Sequence, residues 1–215
     1  MNKLIALIFV IALFATLACS EKKGEDNAVS ADAQLKEGVH YVALDRAEEK
    51  GKITEVFSVF CSVCYLYESG VIPKLKASLP ADVVFEEAHV MVLGGSYGPI
   101  AHDVLAVALS QSPEQYQAAK QVYFDRNYGT EKAKIKDDEE AAMIGLEAAG
   151  ISQEQYAELQ GTPEVQAILD TWADALDPAI KGTPTLIVNN RYMILTEKIE
   201  NQAELNRIVN ELLKK

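Results

Sequence analysis

The sequence predicts an α/β fold with an inserted all-helical subdomain, and three observations predict it. Runs dense in β-branched and aromatic residues occur near 53–60, 82–92 and 185–195. From about Ile100 to Leu176 the pattern is helical throughout, and the β pattern returns only after Pro178. The order is strand, helix, strand, several helices, then strand, strand, helix, so the helical block interrupts a mixed unit rather than following it. With 215 residues, 49% hydrophobic and 24% charged, the chain can build one sizeable core carrying an insertion, and wholesale disorder is excluded.

Taken in order, residues 1–18 read as a signal peptide. Asn2 and Lys3 precede an apolar run from Leu4 to Ala18, too short for a comfortable membrane span. The run ends in Ala15-Thr16-Leu17-Ala18-Cys19-Ser20, a loose match to the lipobox of bacterial lipoproteins, with Thr16 where Leu is commonest. Two readings of Cys19 stand: lipid attachment, favoured because an odd cysteine at a signal boundary has no other role, or an ordinary cleavage site beside it. Residues 19–34 are polar and low in β-branched and aromatic side chains, as in a flexible tether.

In the first α/β part, 35–98, Glu37-Gly38-Val39-His40-Tyr41 opens the globular region and Ile53 to Phe60 suits a central strand. Cys61 to Ser69 suits a helix that Gly70 and Pro73 should kink or restart before Lys74 to Ser78. Asp82 to Val92 suits a second strand, closed by Gly94-Gly95. In the insertion, 99–176, Ser112-Pro113-Glu114-Gln115 and Ser152-Gln153-Glu154-Gln155 have the pattern of capping boxes, and Thr162-Pro163-Glu164 marks another helix start. Gly150 suits the end of a helix that begins near Asp137. Val165, Ile168, Leu169, Trp172 and Leu176 recur at helical spacing as a core-facing stripe. In the second α/β part, 177–215, Thr185 to Val188 and Tyr192 to Leu195 flank Asn189-Asn190-Arg191 as a hairpin. Asn201 to Leu213 closes the chain as a helix with Leu205, Ile208, Val209 and Leu212 on one face.

The chemistry points to Cys61-Ser62-Val63-Cys64, two thiols one helical turn apart with the first at the helix N-terminus. Unpaired N–H groups and the helix dipole stabilise a thiolate there, and the second thiol can resolve a mixed disulfide formed by the first. Cys61 is therefore expected to be accessible and Cys64 shielded. Half a zinc site and a structural bridge are the competing readings of the spacing. Zinc needs four ligands, and His40, His89, His102 and Cys19 do not stand at ligand spacing. A bridge closing so short a loop removes little chain entropy. Lys181-Gly182-Thr183-Pro184-Thr185 puts a proline directly before a strand, where a cis bond and a plain turn proline are the two readings. Glu55 lies in an otherwise apolar strand, either buried or turned to solvent beside a surface Lys. The formal net charge is -12, which disfavours nucleic acid as a partner.

The runs EGVHYVAL, EVFSVFCSVCY, AHVMVLGG and GTPTLIVNNRY, in that order and with a long helical insertion before the last, resemble the DsbA family of the thioredoxin superfamily over roughly residues 35–215. The resemblance implies a thioredoxin fold, with Cys61 as nucleophile and Cys64 as resolving thiol. It implies a cis Pro184 lying against the pair, Thr183 preceding it, and a substrate peptide meeting their backbone. Glu55 then corresponds to a buried acid near Cys64 that could accept its proton, and Glu68 also matches an acid of the family. Three departures concern tuning: Ser62-Val63 replaces the Pro-His of the best-known oxidising member, Thr183 replaces a Val and Glu87 replaces a Lys. Ser62 and Val63 are thus the residues expected to moderate oxidising power.

The implied function is a periplasmic oxidase that donates disulfides to reduced or misfolded exported proteins and is reoxidised by a DsbB-like membrane partner, with the chain anchored through a lipidated Cys19. A reductase or isomerase is the alternative, favoured by Thr183, and a redox-inactive chaperone-like lipoprotein is a third reading that would tolerate Cys61→Ser. No cofactor and no metal are expected, and the chain is expected to be a monomer, since residues 20–34 are too few for the extra domain of the dimeric isomerases.

Overall fold

The computed structural model describes residues 34–130 and 133–215; the apolar run, Cys19 and the tether up to residue 33 lie outside the described residues. The strands are β1 (Tyr41–Ala43), β2 (Lys52–Phe57), β3 (Val84–His89), β4 (Thr185–Val188) and β5 (Tyr192–Ile194). They form one sheet in the order β1-β5-β4-β2-β3, in which only β2 and β3 run parallel. Five consecutive residues of β2, Ile53 to Phe57, are buried, because helices cover one face and the 175–180 and 193–195 segments the other.

Between β2 and β3 the chain makes α1 (Ser62–Leu66), a π-helical turn (Tyr67–Val71) and α2 (Ile72–Lys76). The expected interruption is real, and its cause is Pro73, which has no N–H to give the carbonyl four residues back and whose ring crowds it. The Ser69 hydroxyl donates instead to the carbonyls of Tyr65 and Leu66, at 3.0 and 3.3 Å.

The insertion comprises α3 (Tyr97–Gln111), α4 (Pro113–Tyr128), α5 (Asp138–Ala149), α6 (Gln153–Leu159) and α7 (Pro163–Asp174), and α8 (Gln202–Leu212) closes the chain. Ser152 and Gln155 make a full capping box, whereas at Ser112 only the serine half forms, its hydroxyl accepting from the Gln115 N–H. Gly150 ends α5 in the left-handed conformation. On α7, Val165 and Trp172 are buried and Ile168 and Leu169 partly so, but Leu176 lies past the helix end and is exposed. In the hairpin, Asn189 and Asn190 take φ of 53° and 57°, which asparagine tolerates better than branched residues.

Two strands stop earlier than their patterns suggest. After Phe57 the Ser58 hydroxyl accepts from the Phe60 N–H at 3.2 Å and the Ser58 carbonyl from the Cys61 N–H at 3.1 Å, so the chain turns into the helix instead of extending to Phe60. Beyond His89 one more sheet-like bond forms, Val90 N–H to the Phe57 carbonyl at 2.8 Å, and Met91 to Leu93 then emerge exposed. Gly94 closes that loop at φ 88°, with its α-carbon so near the Phe60 ring that a Cβ would meet it at 2.5 Å.

One core cluster joins Phe57 and Cys64 to Val104, Tyr123, Phe124 and Trp172, so the insertion packs directly on the strand end that carries the cysteines. A second gathers Ile53, Ile72, Leu186, Leu205 and Ile208 between the sheet, α2 and α8. Each large apolar side chain buried this way contributes about 1.5–3 kcal/mol.

Candidate active site

Cys61 is the N-cap of α1, in extended conformation, and its Sγ accepts from the Cys64 N–H at 3.4 Å. The Cys61 thiol faces the Thr183 carbonyl at 3.3 Å, and the Thr183–Pro184 peptide bond is cis. Both cysteines are free thiols, with Cys61 9% and Cys64 1% exposed, so access to Cys61 is narrow although greater than to Cys64. Ser62 and Val63 project into solvent. Asn127 on α4 donates to the Val59 carbonyl at 3.4 Å, linking the insertion to the approach to Cys61.

The two thiols differ in proton affinity. Burial pushes Cys61 up, but the Thr183 side chain and the N–H groups of Cys64 and Val63 outweigh it and hold the thiol below its usual range. Burial pushes Cys64 well up, with only partial relief from the Ser58 backbone and the Thr183 side chain. Thr183 thus contacts the nucleophile candidate itself, in addition to the role in substrate binding that the resemblance implied.

Glu55 is 3% exposed, which resolves the sequence ambiguity in favour of burial. It pairs in register with Glu87 on β3, and their carboxylates lie with that of Glu68 within 4.8 Å of one another. Like charges at such a spacing repel by about 3–4 kcal/mol at an effective dielectric near 20. Lys120 on α4, 1% exposed, answers this with its ammonium 2.7 Å from Glu87 and 2.9 Å from Glu68. The Tyr116 hydroxyl donates to Glu87 at 3.0 Å, and Lys76 meets its other oxygen at 3.1 Å. Burial followed by the Glu87 charge pushes Glu55 up to about 8, whereas Lys120 and Lys76 overcome burial to hold Glu87 below the usual carboxylate range. Among the described residues these three acids are the one group of metal-ligating side chains at such spacing, and Lys120 already supplies the positive charge that a metal ion would bring.

His89 and His102, weighed above only as zinc ligands, form a buried pair instead, Nδ1 to Nδ1 at 3.2 Å, with Trp172 edge-on to both rings. Burial and the neighbouring ring hold His89 well below its ordinary value, so the pair is neutral at pH 7.

Sequence reasoning missed Lys120 and Tyr116, and did not mark Leu66, Met91, Val92 and Leu93 as exposed. An acid inside an apolar strand signalled a costly carboxylate, but not the lysine and tyrosine that surround it.

A helix-capping thiol with lowered proton affinity, a shielded partner one turn on and a cis-proline loop against them, on this sheet order, define a thiol-disulfide oxidoreductase of thioredoxin fold. No family model matches the sequence. The chain is 29% identical over 195 residues to the thiol:disulfide interchange protein DsbL of Escherichia coli O6:H1, covering 83% of this chain and 87% of that protein. It is 25% identical over 180 residues to the thiol:disulfide interchange protein DsbA of Dickeya dadantii, covering 82% and 84%. The crystal structure of DsbL from Salmonella enterica serovar Typhimurium superposes with a TM-score of 0.73 at 29% identity, covering 85% of this chain and 99% of that one. In sequence and in fold the chain is thus similar to DsbA-like thiol-disulfide oxidoreductases.

Proposed function

We propose that the chain is a periplasmic oxidase whose Cys61–Cys64 disulfide is transferred to reduced exported proteins. A client thiolate attacks Cys61 Sγ; the client–Cys61 bond forms as the Cys61–Cys64 bond breaks, and Cys64 leaves as a thiolate. Its high proton affinity draws a proton, for which the Glu55 carboxyl is the nearby candidate donor, both groups lying in the electrostatic reach of Tyr67. A second client thiolate then attacks the client sulfur and releases Cys61 as a thiolate, so the client loses two electrons and the cysteine pair gains them. Thr183 and Pro184 present backbone to the client, while Ser62 and Val63 tune the thiolate. Reoxidation falls to a DsbB-like membrane partner. The signal-like residues 1–18 support export, and Cys19 supports a lipid anchor to the membrane.

The single observation that carries this reading is the asymmetry of the thiols, Cys61 the more accessible with lowered proton affinity and Cys64 shielded with raised affinity. Thr183 before Pro184 favours a second reading, net reduction or isomerisation, with the same residues in the same roles. Trapping tests the roles: Cys64→Ser should accumulate client mixed disulfides on Cys61, and Cys61→Ser should accumulate none. Mixed disulfides on Cys64 in the Cys61→Ser protein would reverse the assignment.

A further inference from the structure

Lys120 belongs to the insertion, yet its ammonium reaches across to the sheet and to the active-site helix, pairing with Glu87 of β3 and Glu68 of the π-helical turn. The ionisable groups that bear on Glu55 include Glu87 from β3, Glu68 and Tyr67 from the turn, Tyr116 and Lys120 from α4, and Lys76 from α2. Lys76 is 41% exposed and screened by solvent, so Lys120 is the cation whose loss the cluster would feel most.

We propose that Lys120 is a positioning residue for disulfide exchange: paired with Glu68 and Glu87, it fixes the electrostatic potential at Glu55 and so couples the helical insertion to the proton exchange of Cys64. The inference rests on the roles proposed above for Cys61, Cys64 and Glu55. Removing the ammonium would leave Glu55 facing two acids with one screened lysine, and the Glu55 carboxyl would keep its proton to higher pH.

The test is the pH dependence of one step. Reduced protein mixed with oxidised glutathione forms a Cys61–glutathione mixed disulfide with release of one glutathione thiolate. Cys64, its proton passed to the Glu55 carboxylate, then attacks Cys61 Sγ and displaces the second. The rate of this second step should rise with pH to a plateau, with a midpoint near 8. Lys120→Met should move the midpoint up by about one pH unit or more, slowing the step at pH 7 by about tenfold. Lys120→Arg should restore the profile, and Glu87→Gln should move the midpoint down and quicken the step at pH 7. A folded Lys120→Met protein with the unsubstituted midpoint would overturn the inference. Should that variant fail to fold, an unchanged midpoint in Glu87→Gln overturns it equally. Failure of the unsubstituted protein to form the Cys61–glutathione adduct would overturn the cysteine roles and this inference together, whereas normal exchange with an insensitive midpoint overturns this inference alone.

Discussion

At the scale of single residues, the chemistry depends on how the thiolate of Cys61 is held. The helix N-terminus and the Thr183 side chain stabilise it, and the adjoining dipeptide adds nothing charged, since Ser62 and Val63 point into solvent. A stable thiolate in the reduced state is what makes a disulfide oxidising, so the Cys61 thiol should titrate below its ordinary range. Installing a proline and an ionisable imidazole by Ser62→Pro with Val63→His should lower the Cys61 pKa and make the pair more oxidising. Thiolate absorbance against pH measures the first effect and equilibration with glutathione the second. No change in either would mean that Thr183 and the backbone donors alone govern the thiolate. Cys61, Cys64 and Pro184 were legible because their chemistry is local in sequence. Lys120 was not, because 33 residues separate it from Glu87 and the sequence of α4 shows no apolar stripe that would mark its buried face.

At the scale of elements, the approach to the site is shaped by how strands end. The Ser58 hydrogen bonds stop β2 at Phe57, and the ring of Phe60 then fills the space under the Met91–Gly95 loop. These endings escape a reading based on hydrophobic runs, since Val59 and Phe60 continue the apolar pattern while the backbone has already turned. The π-helical turn was legible as a break, from Gly70 and Pro73, but not as a turn that keeps the chain helical and swings Glu68 toward Lys120. Gly94→Ala should cost about 1–3 kcal/mol, because φ of 88° disfavours any side chain and the Phe60 ring occupies the space a Cβ needs. The urea midpoint of the variant measures this; a midpoint equal to that of the parent would show that the loop is not held against Phe60.

At the scale of the whole molecule, the insertion and the thioredoxin-like part meet at two titratable sites that pull stability in opposite directions. Glu55 keeps its proton in the folded chain up to about pH 8 and releases it near its ordinary 4.5 when unfolded, so its contribution is lost as pH rises through that window. His89 and His102 are held neutral by burial and take up protons below 6.5 only on unfolding, so stability falls as pH drops below that value. Above pH 6.5 the histidine contribution fades over about one pH unit, so the slope that Glu55 adds in the disulfide form, whose thiols do not titrate, is read as the difference between the parent and Glu55→Gln, at most about 1.4 kcal/mol per pH unit. Urea midpoints from about pH 6.5 to 8 should fall for the parent relative to Glu55→Gln; parallel slopes would show that the Glu55 carboxyl is ionised on folding. The fold class and the order of its parts were readable from the sequence, because β-rich and helical runs are long and well separated. The contacts that join the parts were not, since they depend on which helix faces which strand. The most direct measurement of the whole account is equilibration of the protein with glutathione buffers, followed by counting alkylatable thiols. Cys61 and Cys64 should open and close together in one reversible two-electron transition, at a potential more negative than about -120 mV. A pair that stays fully reduced or fully oxidised across every buffer would contradict disulfide exchange as the activity of this chain.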